Sequence, residues 1–355
     1  MRGFQIERNI AFSELPSRLV ECPDPVPGPN EVVVDVYCAG LNPPPTTHRK
    51  AELPTKPAGA EFSGIVSLNS PIPSGCPFIP GKTRVFGAGQ GAYSQKIKVD
   101  WHTVIEVPDT MSLEEASGLY VTMPTSYAGL VNRAQTKEGE WVLVHAAAGG
   151  VGLAAVQIAK ALGAKVIATA SQQKKLDVCK RYGADYVLDY TKEGWQKEVL
   201  KITSGHGADV IFDPVGLVVP TLKCIAWNGR IIVVGFAGGN IEKIPANLLL
   251  LKNCTAMGVH WGAYKKNEPS AVPAVWGALL ELFKQKRVKG IVFDKVFEFA
   301  ASFSSFLAVY IQGLTRISTF RGLESVPEGL RALGARETWG KAVVRVKMEE
   351  AKSKL

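Results

Sequence analysis

Between positions 141 and 171 apolar and polar residues alternate in a way that fixes three elements. WVLV, at 141–144, is a compact apolar run of the length of a buried strand; apolar residues then recur at helical spacing over 151–162 and stop at Gly163. A second apolar strand follows at 165–169. Beyond it the alternation continues: helix 173–182 closed by Gly183, strand 186–190, helix 194–203, strand 209–213, helix 217–227, strand 230–235 and strand 255–260. Six strands with intervening helices predict an α/β fold with a doubly wound parallel sheet.

The flanking sequence has a different pattern. Valine-rich or alternating runs at 31–38, 61–68, 83–87 and 92–99, each bounded by Gly or Pro, predict short strands of a β-rich, partly open barrel. Ser112 with Glu115 forms a capping box that opens a helix, and a second helical run covers 124–134. Towards the C-terminus a helix at 272–286, a strand at 292–297, a helix at 326–333 and a strand at 341–348 are expected. The last strand should rejoin the first domain. The division read from the pattern is therefore 1–120 for the β-rich domain, 121–264 for the parallel-sheet domain and 265–355 for the return, with 299–321 reading as extra sequence, either a real insertion or a retained intron.

Charge and cysteine content narrow the classes. The net charge is +9, but Lys and Arg are dispersed, which argues against a nucleic-acid partner. The six cysteines are scattered with no C-x-x-C, as in a reducing compartment rather than a disulfide or zinc framework. Residues 1–8 lead into no apolar signal segment, and the apolar stretch at 299–314 is too short to span a bilayer. The chain ends in Ser353-Lys354-Leu355, a tripeptide read by the peroxisomal import receptor, so a peroxisomal location is expected over a cytoplasmic one.

The chemistry is concentrated in the turn after the first strand of the parallel sheet. Its spacing is A-x-x-G-x-x-G, with Ala146 where the commoner fingerprint has glycine. Gly149 and Gly150 let a pyrophosphate approach the backbone, Val151 follows in the first helical turn, and Gly152 lets helix and strand pack closely. A helix N-terminus offers unpaired N–H groups and partial positive charge to a phosphate. At the end of the second strand, where an NAD site carries an acid for the ribose 2′-hydroxyl, the chain reads TASQQKK. Ser171 and Lys175, with Tyr190 at the end of the third strand, can instead serve a 2′-phosphate, so NADPH is the expected cofactor.

The ordered segments PGPNEVVVDVYCAGLN, AGAEFSGIV, GAYSQKIKV, VPDTMSLEEASGL, GADYVLDY, GADVIFDPVG, GRIIVVGFAGG and IPANLLLLKN, together with the central βαβ unit, resemble the quinone oxidoreductase family, the zinc-free branch of the medium-chain dehydrogenases/reductases. The resemblance implies a GroES-like barrel domain, a Rossmann domain, a homodimer, and NADPH-dependent hydride transfer to quinones or α,β-unsaturated carbonyls. It further implies that Asn42 is an active-site residue, that Thr125 lies at the nicotinamide pocket, that Gly235 and Phe236 meet the nicotinamide carboxamide, and that Arg336 lies near the 2′-phosphate. Asn42, Thr125 and Tyr127 are the candidate catalytic polar groups, Tyr127 either as a proton donor or as a ring packed under the cofactor. In Gly59-Ala60-Glu61 the histidine that binds zinc in zinc-dependent relatives is Ala60, and His48, His102, His145, His206 and His260 are dispersed, so no metal is expected.

Two segments depart from the family pattern. After Asn42 the chain runs Pro43-Pro44-Pro45 and is short up to Gly59, and 299–321 is additional. Two other functions remain open at this level: reduction of enoyl thioesters such as enoyl-CoA, which a peroxisomal location suits, and a non-catalytic NADPH-binding or nucleic-acid-binding protein.

Overall fold

The computed structural model describes residues 1–5, 18–42, 57–293 and 320–347. The proline run at 43–45, His48, most of the extra sequence at 299–321 and the terminal tripeptide at 353–355 lie outside the described residues. By contacts the chain divides into two units, Met1–Tyr120 with Val292–Leu355, and Val121–Ile291.

The N-terminal piece of the first unit contains β1 (Arg2–Gln5), β2 (Arg18–Glu21), β3 (Glu31–Gly40), β4 (Glu61–Val66), β5 (Arg84–Ala88), β6 (Lys96–Asp100), β7 (Val104–Glu106) and α1 (Leu113–Ser117). Helix α2 (Leu119–Tyr127) carries the chain across the boundary between the units. β3 organises its sheet because every second valine, Val32, Val34 and Val36, is fully buried. One edge of β3 pairs with β6 over Glu31–Asp35 and then with a C-terminal strand over Cys38–Gly40, while the other edge pairs with β4 across a bulge between Val36 and Cys38. A strand that changes partner half-way must bend, and the sheet curls into a half-barrel. Ser112 closes the expected capping box with Glu115 at the start of α1.

The second unit contains β8 (Trp141–Val144), α3 (Gly150–Ala161), β9 (Lys165–Ala170), α4 (Gln173–Arg181), β10 (Tyr186–Asp189), α5 (Trp195–Ile202), β11 (Ala208–Asp213), α6 (Val218–Thr221), β12 (Ile225–Val233), α7 (Ala246–Lys252), β13 (Thr255–Gly258), α8 (Tyr264–Asn267) and α9 (Ala271–Lys284). The six strands are all parallel, in the order β10-β9-β8-β11-β12-β13. This is the doubly wound arrangement expected from the sequence, with its order reversing beside β8. The return piece supplies β14 (Phe320–Arg321), α10 (Val326–Gly334) and β15 (Val343–Arg345), which extend the first sheet into the order β14-β15-β3-β4-β5-β7.

Several boundaries differ from the sequence pattern for identifiable reasons. The helix expected over 217–227 ends at Thr221, and β12 begins at Ile225, which pairs with Ala208 of β11; the register shifts before Arg230, where Asn228 takes left-handed backbone (φ 61°) and bends the strand. The strand expected from 92 starts at Lys96, since the Ser94 hydroxyl bonds the carbonyls of Gly91 and Lys96 and makes a turn. Instead of one α-helix over 124–134, α2 gives way to a π-helical turn at Ala128–Arg133, in a segment where Pro124 already lacks an N–H. Residues 265–291 belong with the parallel sheet and not with the barrel-like unit: Gln157 of α3 bonds both the N–H and the carbonyl of Lys289, which ties the segment after α9 to the sheet's own helix layer.

Candidate functional site

The turn after β8 is built almost entirely from backbone. Ala146 has φ 42°, a conformation that costs a non-glycine residue about 1–2 kcal/mol, and its carbonyl accepts from Gly149 N–H at 2.9 Å. Ala147 N–H donates to Thr169 O of β9 at 2.9 Å, so the turn is fastened to the neighbouring strand. Gly149 is the N-cap of α3 in extended conformation with no side-chain cap. The first-turn N–H groups of Gly150, Val151 and Gly152 thus have no partner within the helix, at the positive end of its dipole. A Cβ on Gly152 would stand 2.5 Å from Ala146 O and 2.7 Å from Ala147 O, so no side chain fits without moving backbone. From α2, the buried Ser126 hydroxyl bonds Val151 O at 2.7 Å and locks the start of α3.

Two of the three residues expected at a 2′-phosphate leave one edge of this sheet together. β9 and β10 pair in register, Ala170 opposite Asp189, so that Ser171 and Tyr190 leave the two strands side by side. Ser171 is exposed, Tyr190 half-buried, and Lys175 lies in the first turn of α4, also half-buried. A cavity of about 580 Å³ opens next to Ser171, between α4, β10 and α5, and is lined by neither Lys175 nor Tyr190. Its wall includes Lys180 and Lys192 but also Glu193, Glu198 and Asp189, the last with its carboxyl held below the usual range by hydrogen bonds from the Thr191 hydroxyl and N–H.

Gly235 and Phe236 follow β12, in a loop zipped to the one after β11 by Ala237 N–H to Pro214 O (3.0 Å) and Gly238 N–H to Val215 O (2.9 Å). The buried Asp213 carboxylate accepts N–H groups from Val215, Gly216 and Leu217 at 2.8, 3.0 and 2.6 Å. Asp213 was legible only as the end of a strand; its role in shaping this loop has no sequence signature. Thr125, in α2, gives its hydroxyl to Val121 O at 2.6 Å. Tyr127 is half-buried, and burial pushes its phenol above the usual range, which keeps the proton on the oxygen.

His145, between β8 and the turn, is fully buried, with its ring nitrogens 3.0 Å from Thr169 Oγ1 and 2.9 Å from Thr221 Oγ1. Desolvation lowers its pKa to about 4, against the opposing pull of Asp213. The imidazole is therefore a neutral tie between β9 and α6.

In the barrel-like unit, Asn42 follows β3 and its side chain is engaged on both ends. Nδ2 donates to Glu61 Oε1 at 2.9 Å and lies 3.3 Å from Gly40 O, while Oδ1 accepts from Lys341 Nζ at 2.5 Å. Lys341 and Glu61 also form an ion pair. The sequence marked Glu61 only as the acid beside Ala60, and nothing in it pointed to Lys341. Arg336 belongs to the same unit, exposed, with φ 58° just past α10. Among the described residues, no three His, Cys, Asp or Glu side chains are grouped so as to hold a metal ion.

The family model for zinc-binding dehydrogenases matches residues 150–285. A quinone oxidoreductase-like protein 2 homolog of Nematostella vectensis is 36% identical over 332 residues, which is 90% of this chain and 83% of that one. The quinone oxidoreductase of Homo sapiens is 30% identical over 275 residues, covering 75% of this chain and 82% of its own length. Among solved structures, the quinone oxidoreductase of Thermus thermophilus, determined also in complex with NADPH, has a TM-score of 0.77 at 26% identity and covers 98% of this chain and 100% of that one.

Proposed function

Starting from a chain that belongs to the quinone oxidoreductases of the medium-chain dehydrogenase/reductase superfamily, we propose that it carries hydride from NADPH to a quinone or other conjugated carbonyl acceptor, without zinc. The observation that carries the reading is the uncapped N-terminus of α3 in the unit whose β9 ends without an acid of its own, at Ser171, with Tyr190 beside it and Lys175 in the first turn of α4. The first suits a pyrophosphate and the second a 2′-phosphate. NADPH supplies the hydride when bound. The chain's part is to hold the cofactor by Ala146, Gly149, Gly150, Val151 and Gly152, to set its carboxamide by Gly235 and Phe236, and to offer Asn42, Thr125 and Tyr127 as polar groups to the nicotinamide and the acceptor.

The test is NADPH oxidation in an acceptor series containing quinones and an enoyl-CoA, with and without a metal chelator. Turnover of a quinone that survives chelation supports the reading. Turnover of the enoyl-CoA alone moves the protein to the thioester reductases. NADPH binding without turnover of any acceptor makes it non-catalytic.

A second copy of the chain is the proposed partner. The edge strand β13 and the adjacent α7, with Leu250 and Leu251 78% and 68% exposed, are the surface offered to it, and sedimentation of a Leu250→Glu variant tests this. For location we propose the peroxisome, read from Ser353-Lys354-Leu355 and tested by imaging a fluorescent fusion with and without that tripeptide.

A further inference from the structure

Asn42, Glu61 and Lys341 are brought together by three neighbouring strands. Gly40 at the end of β3 is paired on one side with Glu61 of β4 and on the other with Val343 of β15, and Leu41 N–H donates to Ala342 O at 2.8 Å. The three side chains therefore meet at one end of the β15-β3-β4 ladder. Glu61 and Lys341 have side chains 0% and 7% exposed.

The charges dictate how the Asn42 amide can lie. With Oδ1 toward the ammonium and Nδ2 toward the carboxylate, both contacts are attractive. A flipped amide would put its N–H groups against Lys341 and its carbonyl against Glu61, and with almost no solvent present neither repulsion would be screened. The backbone beside it is held as well: Asn42 N–H donates to the buried Tyr93 hydroxyl at 3.4 Å, and that hydroxyl is 3.4 Å from Gly40 O. One Nδ2 hydrogen is committed to Glu61. The other faces Gly40 O across 3.3 Å, a long bond that an acceptor's oxygen can replace.

We propose that Lys341 and Glu61 are positioning residues for acceptor reduction, acting through the Asn42 amide, whose second N–H they aim at the oxygen that gains charge. The inference rests on the reading of Asn42 as an active-site group. It adds two residues whose contribution is orientation, the kind of contribution that a misplacement of about 1 Å can reduce 100-fold.

The experiment compares the full-length protein with Asn42→Ala, Lys341→Arg and the double variant Lys341→Met/Glu61→Gln, using NADPH and 1,4-benzoquinone. The double variant removes both charges together and so avoids leaving one buried alone. The expected result is a fall of about 10- to 100-fold in kcat for the double variant and for Asn42→Ala, an unchanged KM for NADPH, and near-complete activity for Lys341→Arg. A double variant with wild-type kcat, beside an Asn42→Ala that has lost it, overturns the positioning role and leaves the reading of Asn42 intact. Wild-type kcat in Asn42→Ala overturns that reading, and with it the inference. A readout independent of turnover is the side-chain amide NMR signal of Asn42: it should be shifted and slow to exchange in the wild type and lose both properties in the double variant. An unchanged signal would overturn the inference even if no quinone is reduced.

Discussion

Glu61 and Lys341 form an ion pair inside the barrel-like unit, one from the start of β4 and the other from the C-terminal return, with exposures of 0% and 7%. Such a pair stabilises little relative to a neutral core, but removing one member leaves the other charge buried and unpaired, typically at about 3–5 kcal/mol. Lys341→Met should therefore lower unfolding stability by roughly that amount, and Lys341→Met/Glu61→Gln should recover most of it. Urea denaturation of both variants tests this; equal losses in the single and double variants would show that the two charges are not coupled.

The turn before α3 makes opposite predictions at two positions. At Gly152 a methyl group would lie 2.5 Å from Ala146 O, so Gly152→Ala must move the backbone that presents the helix N–H groups, and NADPH affinity should fall at least about tenfold. At Ala146 the strain is already present, with φ 42°. Ala146→Gly should relieve it and raise stability by roughly 1 kcal/mol while NADPH binding is kept. Thermal unfolding with and without NADPH separates the two variants, and a destabilised Ala146→Gly would refute the strain argument.

The sequence pattern located the βαβ unit, the six parallel strands and the curled β-rich unit because each rests on local periodicity. Gly149, Gly150 and Gly152 were legible for the same reason: strand, turn and helix are contiguous, and the spacing states their geometry. Ser171 and Tyr190 were legible as strand ends, although only the β9–β10 register shows that they leave the sheet together. The Glu61–Lys341–Asn42 cluster was not legible, since its members come from three strands joined only by folding. The helix expected at 217–227 failed because a buried strand and a buried helix carry the same apolar residues when both faces are covered, and Asn228 bends the strand where the pattern would have shown it.

His145 gives a pH dependence whose sign follows from burial. Its folded pKa is lowered from 6.5 to about 4, chiefly by desolvation. The fold thus holds the neutral imidazole between Thr169 and Thr221. As pH falls from about 6.5 towards 4, the unfolded chain takes up a proton that the folded chain does not, so stability is full above the unfolded pKa and falls across that window, by roughly 3 kcal/mol in all. Below the folded pKa both states are protonated and the loss levels off. His145→Gln removes this titration, and its unfolding free energy between pH 7 and pH 4.5 should vary less than that of the wild type. Parallel pH profiles would rule out His145 as the source.

Cofactor choice should turn on the end of β9. Ser171 and Tyr190 sit side by side there, with Lys175 in the first turn of α4, and no acid stands where a ribose 2′-hydroxyl would need one. A 2′-phosphate brings about two negative charges to this edge, while NADH brings a neutral hydroxyl. Lys175→Ala should therefore weaken NADPH and leave NADH nearly unchanged. Ser171→Asp should do more, because its carboxylate repels the phosphate and accepts a hydrogen bond from the hydroxyl. The two effects together should change the ratio of NADPH to NADH affinity by roughly 10- to 100-fold, or about 1.4 to 2.8 kcal/mol. The shift for NADPH should shrink as salt is raised, because Ser171 is exposed at the strand end and Lys175 only half-buried, so ions screen both. Fluorescence titration with each cofactor at two salt concentrations gives all four numbers. If Ser171→Asp weakens NADPH and NADH equally, the 2′-phosphate does not bind at this edge, and the specificity must reside elsewhere in the chain.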